Sequence, residues 1–178
     1  MSRSYVSVSD PIWDRVSVVL SADYPKMCIC WIERIDNPEV RAAYEARRQA
    51  MRAARGAERV SERVLFHGTK AHSVDGIVRE GFAVGCNRVS AFGIGTYFAT
   101  SAAMSAGYTD VLTETEMSYM FVCNVLVGVT KVGTGNETLD VTRYDNTTNL
   151  SVSPSIYTTP YDDGAFPEFI VGFYKRAA

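Results

Sequence analysis

The stretch Leu65-Phe66-His67-Gly68-Thr69 decides how this chain is read. Apolar residues carry a buried strand to its end, and the strand passes into a histidine, a glycine and a hydroxyl residue. Gly68 lets a ligand approach the backbone closely. His67 and Thr69 offer polar atoms at the mouth. Downstream come Phe92-Gly93-Ile94-Gly95-Thr96-Tyr97-Phe98-Ala99 and then Ser105 and Tyr108. Two tyrosines flanking a serine suit a flat aromatic ligand: rings stack, and a hydroxyl takes a polar edge. Residue types alone reach a pocket for a planar ligand, or equally an aromatic core around a satisfied buried histidine.

The elements around this stretch follow from caps and breakers. Asp10 and Pro11 start a short helix over residues 12–20. Lys26 to Ile35 reads as a strand. Asn37-Pro38-Glu39 opens a helix that runs to Arg55 and stops at Gly56. Its many arginines read as a solvated face rather than a phosphate grip. Val64-Leu65-Phe66 is a strand followed by a His-Gly turn. Ser73 to Glu80 is a short helix, and Ala83 to Ala91 a loop over the pocket. Tyr97 to Ala99 is a strand, Ser101 to Tyr108 a short helix, and Asp110 to Glu116 an acidic exposed connection. Met117 to Val132 reads as a central strand with a bulge at Gly128. Gly133 to Leu150 is loop by composition. Ser155 to Thr159 and Phe166 to Tyr174 are late strands around the turn Asp162-Asp163-Gly164. Early helices and late strands joined by short turns give an α+β plan around a mostly antiparallel sheet.

At 178 residues the chain is expected to form a single domain over residues 1–178. Hydrophobic residues make up 47% and charged residues 21%, the balance of an ordinary soluble domain. The net charge of −2 gives no case for tracking along nucleic acid. Polar residues such as Ser4, Asp10 and Arg15 interrupt the apolar core a signal peptide needs, and no run spans a membrane. An intracellular protein, cytoplasmic or nuclear, is expected. Cys28, Cys30, Cys86 and Cys123 lack zinc-ligand spacing and read as buried free thiols. His67 and His72 lie five apart with no third ligand nearby, so no metal site is expected. There is no Gly-x-Ser-x-Gly elbow and no phosphate loop, and Gly93-Ile94-Gly95 is not a Rossmann turn.

Four motifs in order resemble the catalytic domain of the poly(ADP-ribose) polymerase family, most closely its mono-ADP-ribosyltransferase branch, which includes macrodomain-linked members. They are Ile32-Glu33-Arg34-Ile35-Asp36-Asn37-Pro38 with Tyr44, then Leu65 to Thr69, then Gly93-x-Gly95-x-Tyr97-Phe98-Ala99 with Ser105 and Tyr108, then Phe121 to Gly128. The resemblance implies a split, mostly antiparallel ADP-ribosyltransferase sheet with flanking helices and no helical regulatory domain. It implies NAD as co-substrate. Gly68 and Ser105 would hold the nicotinamide carboxamide, Tyr97 and Tyr108 would sandwich the ring, and His67 would hold the adenosine ribose beside Thr69.

The family's polymerases complete a triad with a late glutamate. Pro167-Glu168-Phe169-Ile170-Val171 is similar to that strand, but Ser153-Pro154-Ser155-Ile156-Tyr157 resembles the branch's own triad strand. The triad is therefore read as His67, Tyr97 and Ile156. Isoleucine cannot activate a sugar hydroxyl, so the implied activity is transfer of one ADP-ribose from NAD to a protein Asp or Glu, with nicotinamide released. The alternatives are an inactive NAD- or ADP-ribose-binding module, or polymer synthesis should Glu168 be the triad residue. Automodification and transfer to nucleic-acid ends stay open. Ile94 stands where the family commonly has lysine, and Arg88 is a candidate pyrophosphate contact.

Overall fold

The computed structural model describes residues 1–86, 90–110 and 117–176. Strand β1, Ser2–Tyr5, precedes helix α1, Pro11–Asp23, whose first turn is capped by Asp10 accepting from the Ile12 N–H at 2.8 Å. Strand β2 is Met27–Asp36. Asn37 then starts α2, Pro38–Arg55, and its Nδ2 donates to the Val78 and Arg79 carbonyls, each at 2.9 Å. A single buried side chain thus opens α2 and satisfies the last carbonyls of α3, Val74–Glu80.

Strand β3, Ser61–Thr69, is longer than the sequence suggested. His67 and Gly68 do not form a turn. They remain extended because β5, Ser118–Val127, pairs with β3 along its whole length, His67 opposite Phe121 and Gly68 opposite Met120. The other strands are β4 (Thr96–Ala99), β6 (Thr130–Val132), β7 (Asn146–Thr148), β8 (Ile156–Thr159) and β9 (Ala165–Lys175), with helix α4 at Ala102–Ala106. They form one sheet in the order β1-β2-β9-β5-β3-β4-β8-β7-β6. Only the β6–β7 pair is parallel among the described strands, so the expected α+β, mostly antiparallel plan is found. β3 and β4 meet at one residue pair, Phe66 with Ala99, and diverge on either side. That junction is the split.

Period-two alternation along β3 and β5 sorts the core. Phe66, Met120 and Val122 pack toward α1 and α4 with Leu20, Ile32 and Phe173. Leu65, Phe121 and Val125 pack on the other face with Val78 and Phe82, beside α3. Tyr44 and Met51 of α2 close on Leu126 and Phe166.

Several local expectations change. The bulge falls between Val122 and Cys123 rather than at Gly128, which ends β5 before a separate short β6. Residues 133–150 contain a buried strand, β7, because Asn146 satisfies the turn before it: Nδ2 donates to the Leu126 carbonyl and Oδ1 accepts from the Gly128 N–H. The helix expected over Ser101–Tyr108 covers only Ala102–Ala106. Among the cysteines only Cys123 is buried; Cys30 and Cys86 are exposed and all four are free thiols. The acidic connection at 111–116 lies outside the described residues. No helix among them is long and apolar enough to cross a membrane.

Three arginines of α2, Arg41, Arg47 and Arg55, act as clamps rather than as a solvated surface. Arg41 reaches Glu168 at 2.8 Å and lies over the Phe166 ring, and Arg47 reaches Asp163 at 2.7 Å over the Tyr161 ring. Arg55 pairs with the nearly fully buried Asp145 at 3.1 Å and donates to the Val141 and Thr142 carbonyls. Asp145 also accepts from the Val129 N–H. Removing the cation strands a buried carboxylate, which costs about 3 kcal/mol. Arg55→Met should therefore lower the thermal midpoint by roughly 6–12 °C at neutral pH. An unchanged midpoint in calorimetry would mean that Asp145 needs no counter-ion.

Candidate active site

The divergence of β3 and β4 opens a cavity of about 450 Å³. All seven residues expected at the donor site line it: His67, Gly68, Thr69, Tyr97, Ser105, Tyr108 and Ile156. Each is delivered by a different constraint.

Gly68 is set by a close approach. A Cβ at this position would lie 1.8 Å from the Ser105 carbonyl oxygen, so only glycine lets α4 rest on β3. With α4 seated, Ser105 is buried and its hydroxyl donates to the Phe66 carbonyl at 3.0 Å. Strand alternation turns the Gly68 N–H and carbonyl the same way as those of Phe66, toward the split and away from β5. A backbone donor and acceptor thus stand side by side at the cavity wall.

Tyr97 is locked by its hydroxyl, which accepts from the Phe92 N–H at 2.9 Å and donates to the Gly93 carbonyl at 2.6 Å. Burial pushes its pKa up, so it stays a neutral donor. Its hydroxyl is spent on the preceding loop, and the ring face is what it can give a ligand. The two glycines of Gly93-Ile94-Gly95 allow this. Gly93 adopts a φ of +99°, and a Cβ on Gly95 would sit 2.4 Å from the Thr159 carbonyl of β8. Ile94 is 41% exposed and lies outside the cavity lining. Tyr108, just past α4, is 64% exposed.

His67 stands between Phe82 and Phe98, with ring centroids 5.0 and 5.5 Å away. Nδ1 lies 2.8 Å from the Tyr97 carbonyl oxygen. A carbonyl only accepts, so Nδ1 carries the proton and a neutral ring keeps Nε2 as an acceptor. Burial lowers the His67 pKa, with the Tyr97 carbonyl opposing in part, which holds the ring neutral near pH 7. A second cavity of about 290 Å³ continues from His67 and Thr69 past Phe82 and Cys86 toward α3. The two spaces share His67, Thr69 and Cys86, giving a bipartite cleft.

Ile156 and Glu168 part company. Ile156, the first residue of β8, lines the larger cavity. Glu168 lies in β9 and is held by Arg41 at 2.8 Å, Arg34 at 3.5 Å and Asn124 at 3.3 Å, in a separate groove beside α1. The sequence reading missed Phe82, Lys70 and Cys86 as cleft residues. Phe82 follows the glycine that stops α3, an apolar residue just ahead of the expected loop, which was the available signal. Arg88 lies outside the described residues.

Comparison with known proteins agrees with this geometry. The profile of the poly(ADP-ribose) polymerase catalytic domain matches residues 14–159. The chain belongs to that family. It is 32% identical to the human protein mono-ADP-ribosyltransferase PARP14 over 94% of this chain and 10% of that protein. It is 30% identical to mouse protein mono-ADP-ribosyltransferase PARP12, over 94% of this chain and 25% of the relative. A probable poly [ADP-ribose] polymerase of Dictyostelium discoideum is 26% identical over 98% of this chain and 51% of its own length. The chain thus spans from a tenth to about half of these relatives.

Two outcomes test the site's construction. Gly68→Ala should destabilise the fold by about 2 kcal/mol through overpacking, because α4 must move off β3; an unchanged melting midpoint would contradict the contact. His67 binds protons less readily folded than unfolded, so the unfolded chain takes up more protons as pH falls below the ordinary histidine value of 6.5. Folding stability should drop on acidification through that window, and the drop should be smaller in His67→Gln. Equal slopes in denaturant titrations of both proteins would show that His67 is not held neutral by burial.

Proposed function

We propose that this chain is a mono-ADP-ribosyltransferase that takes NAD as donor and a protein carboxylate as acceptor. The observation that carries the proposal is the occupant of the third triad position. An isoleucine lines the cavity while the rival carboxylate, Glu168, is tied to two arginines in a separate groove. These placements support a triad of His67, Tyr97 and Ile156.

The roles that the resemblance implies fit the geometry of the cleft. The nicotinamide carboxamide pairs with the Gly68 N–H and carbonyl, as a strand neighbour would, with the Ser105 hydroxyl beside it. The nicotinamide ring lies between Tyr97 and Tyr108, each face worth about 0.5–1.5 kcal/mol beyond burial. His67 Nε2 accepts from the adenosine ribose, Thr69 lies beside it, and the smaller cavity takes the adenine. These contacts orient the glycosidic bond and hold its leaving group. Breaking that bond builds oxocarbenium-like charge on the ribose, as in glycoside cleavage. Ile156 brings neither a charge to meet it nor a base to deprotonate a sugar hydroxyl. The acceptor must arrive already nucleophilic, which selects a protein Asp or Glu and stops the product at one unit. Acceptors on this chain itself satisfy the same chemistry.

Purified protein incubated with NAD labelled in its adenosine half should yield protein carrying single ADP-ribose units, released by hydroxylamine as esters are. His67→Ala and Tyr97→Ala should each lower transfer by at least about a hundredfold, whereas Glu168→Gln should keep most of it. Polymer ladders, or loss of transfer in folded Glu168→Gln, would overturn the assignment of Ile156. Binding of NAD in calorimetry without nicotinamide release would show a binding module instead.

A further inference from the structure

Beside α1, on the sheet face that packs this helix, runs a groove of about 510 Å³ that the donor site does not use. Its floor is apolar: Val64, Phe66, Val122 and Phe169. Helix α1 forms one wall through Ile12, Val16 and Val19. Val19 is 54% exposed and Val64 60%, and with the other aliphatic residues of this lining they leave an apolar surface open to a partner.

The rim carries positive charge. Arg34 lies over the Phe169 ring at 5.5 Å and shares Glu168 with Arg41, so one carboxylate sits between two guanidinium groups. Arg15 is exposed on the α1 wall and pairs with no carboxylate among the described residues. Around Glu168 the groove holds an excess of cations in a chain whose net charge is −2.

The groove and the donor cavity are lined by consecutive residues at the end of β4. Ala99 lines the cavity and the next residue, Thr100, lines the groove. The Thr100 N–H donates to the Ser155 carbonyl at 2.9 Å, and the residue after Ser155 is Ile156. A chain lying in the groove that continues past Thr100 therefore arrives beside Ile156.

We propose that this groove docks the acceptor polypeptide: an extended, acidic segment with aliphatic anchors. A leucine-sized side chain covers Val19, Val64 and Phe169, and flanking carboxylates meet Arg15 and Arg34. The next Asp or Glu along the segment passes Thr100 to the donor ribose. The inference rests on the transfer reading above and supplies what Ile156 does not. A site with no residue to grip or activate the acceptor has to position it by binding energy gathered at a distance. In the transfer step the carboxylate oxygen forms the bond to ribose C1′ as the C1′–nitrogen bond breaks. The bonding pair leaves with nicotinamide, which is released neutral, and the carboxylate charge is consumed in the ester, so no proton moves.

The test uses Arg15→Glu and Val19→Asp, both at exposed positions of α1, with a short synthetic peptide carrying leucines and several glutamates. The peptide KM should rise about tenfold in each variant, the loss of roughly 1.4 kcal/mol of docking energy, while kcat and the slow hydrolysis of NAD without peptide stay unchanged. A peptide in which the flanking glutamates are replaced by glutamine should show the same rise with the wild-type chain. Equal KM values in wild type and variants, or hydrolysis falling in step with transfer, would overturn the proposal. Fluorescence anisotropy of the labelled peptide reads docking without turnover. Binding that the variants weaken, with no transfer by wild type, would leave the groove standing and sink only the transfer reading. Equal binding by all three proteins would sink the groove. Concentration-dependent dimerisation abolished by Val19→Asp would assign the groove to a second copy of the chain and overturn the acceptor proposal.

Discussion

Everything at the donor site depends on the way β3 and β4 part after the single pair Phe66–Ala99. A continuous sheet would bury the Gly68 N–H and carbonyl in a ladder, as backbone groups must be satisfied somewhere. The split leaves them at a cavity wall instead. Helix α4 seats itself against β3 because Gly68 has no side chain, and the Ser105 hydroxyl caps the Phe66 carbonyl freed by the divergence. Those two contacts bring Tyr108 to the mouth. The opposite wall, Tyr97, is fixed by the loop it ties with its own hydroxyl. The cleft is thus a preorganised gap, assembled before any ligand arrives, which is where binding affinity is gained most cheaply.

The rest of the molecule holds this gap open at a defined width. β5 pairs with β3 along its whole length and keeps His67 and Gly68 extended. Asn37 couples the start of α2 to the end of α3, which walls the smaller cavity. Arg41, Arg47 and Arg55 draw α2 onto β9, the Asp162–Gly164 turn and the loop before β7. Glu168 belongs to that structural set. Its partners, Arg34, Arg41 and Asn124, are those of a clamp.

Much of this was legible in the sequence. The caps at Asp10 and Asn37, the stop at Gly56 and the apolar runs of β2, β5 and β9 follow from residue type, and the site residues lie in two short motifs with three outliers, Ser105, Tyr108 and Ile156. The misses have physical causes. His67-Gly68 looks like a turn because local composition does not report that β5 will pair with it. β7 looks like a loop because its residues are polar, and their satisfaction by Leu126 and Gly128 is long-range. Arg41, Arg47 and Arg55 of α2 look solvated because their carboxylates lie 127, 116 and 90 residues away. Cys86 looks like core until α3 and the pocket loop bring it to the cleft mouth. Residue roles at the site came from the family resemblance; the residues alone predicted only a pocket for a flat ligand.

The most direct measurement of the central claim is a crystal structure of this chain with a non-hydrolysable NAD analogue. The account predicts the nicotinamide ring between Tyr97 and Tyr108, its carboxamide on the Gly68 backbone, and Ile156 in van der Waals contact with the nicotinamide ribose, with Glu168 still held by Arg34 and Arg41. A ligand whose ribose hydroxyls are bonded to Glu168, or one seated outside the gap between β3 and β4, would contradict it.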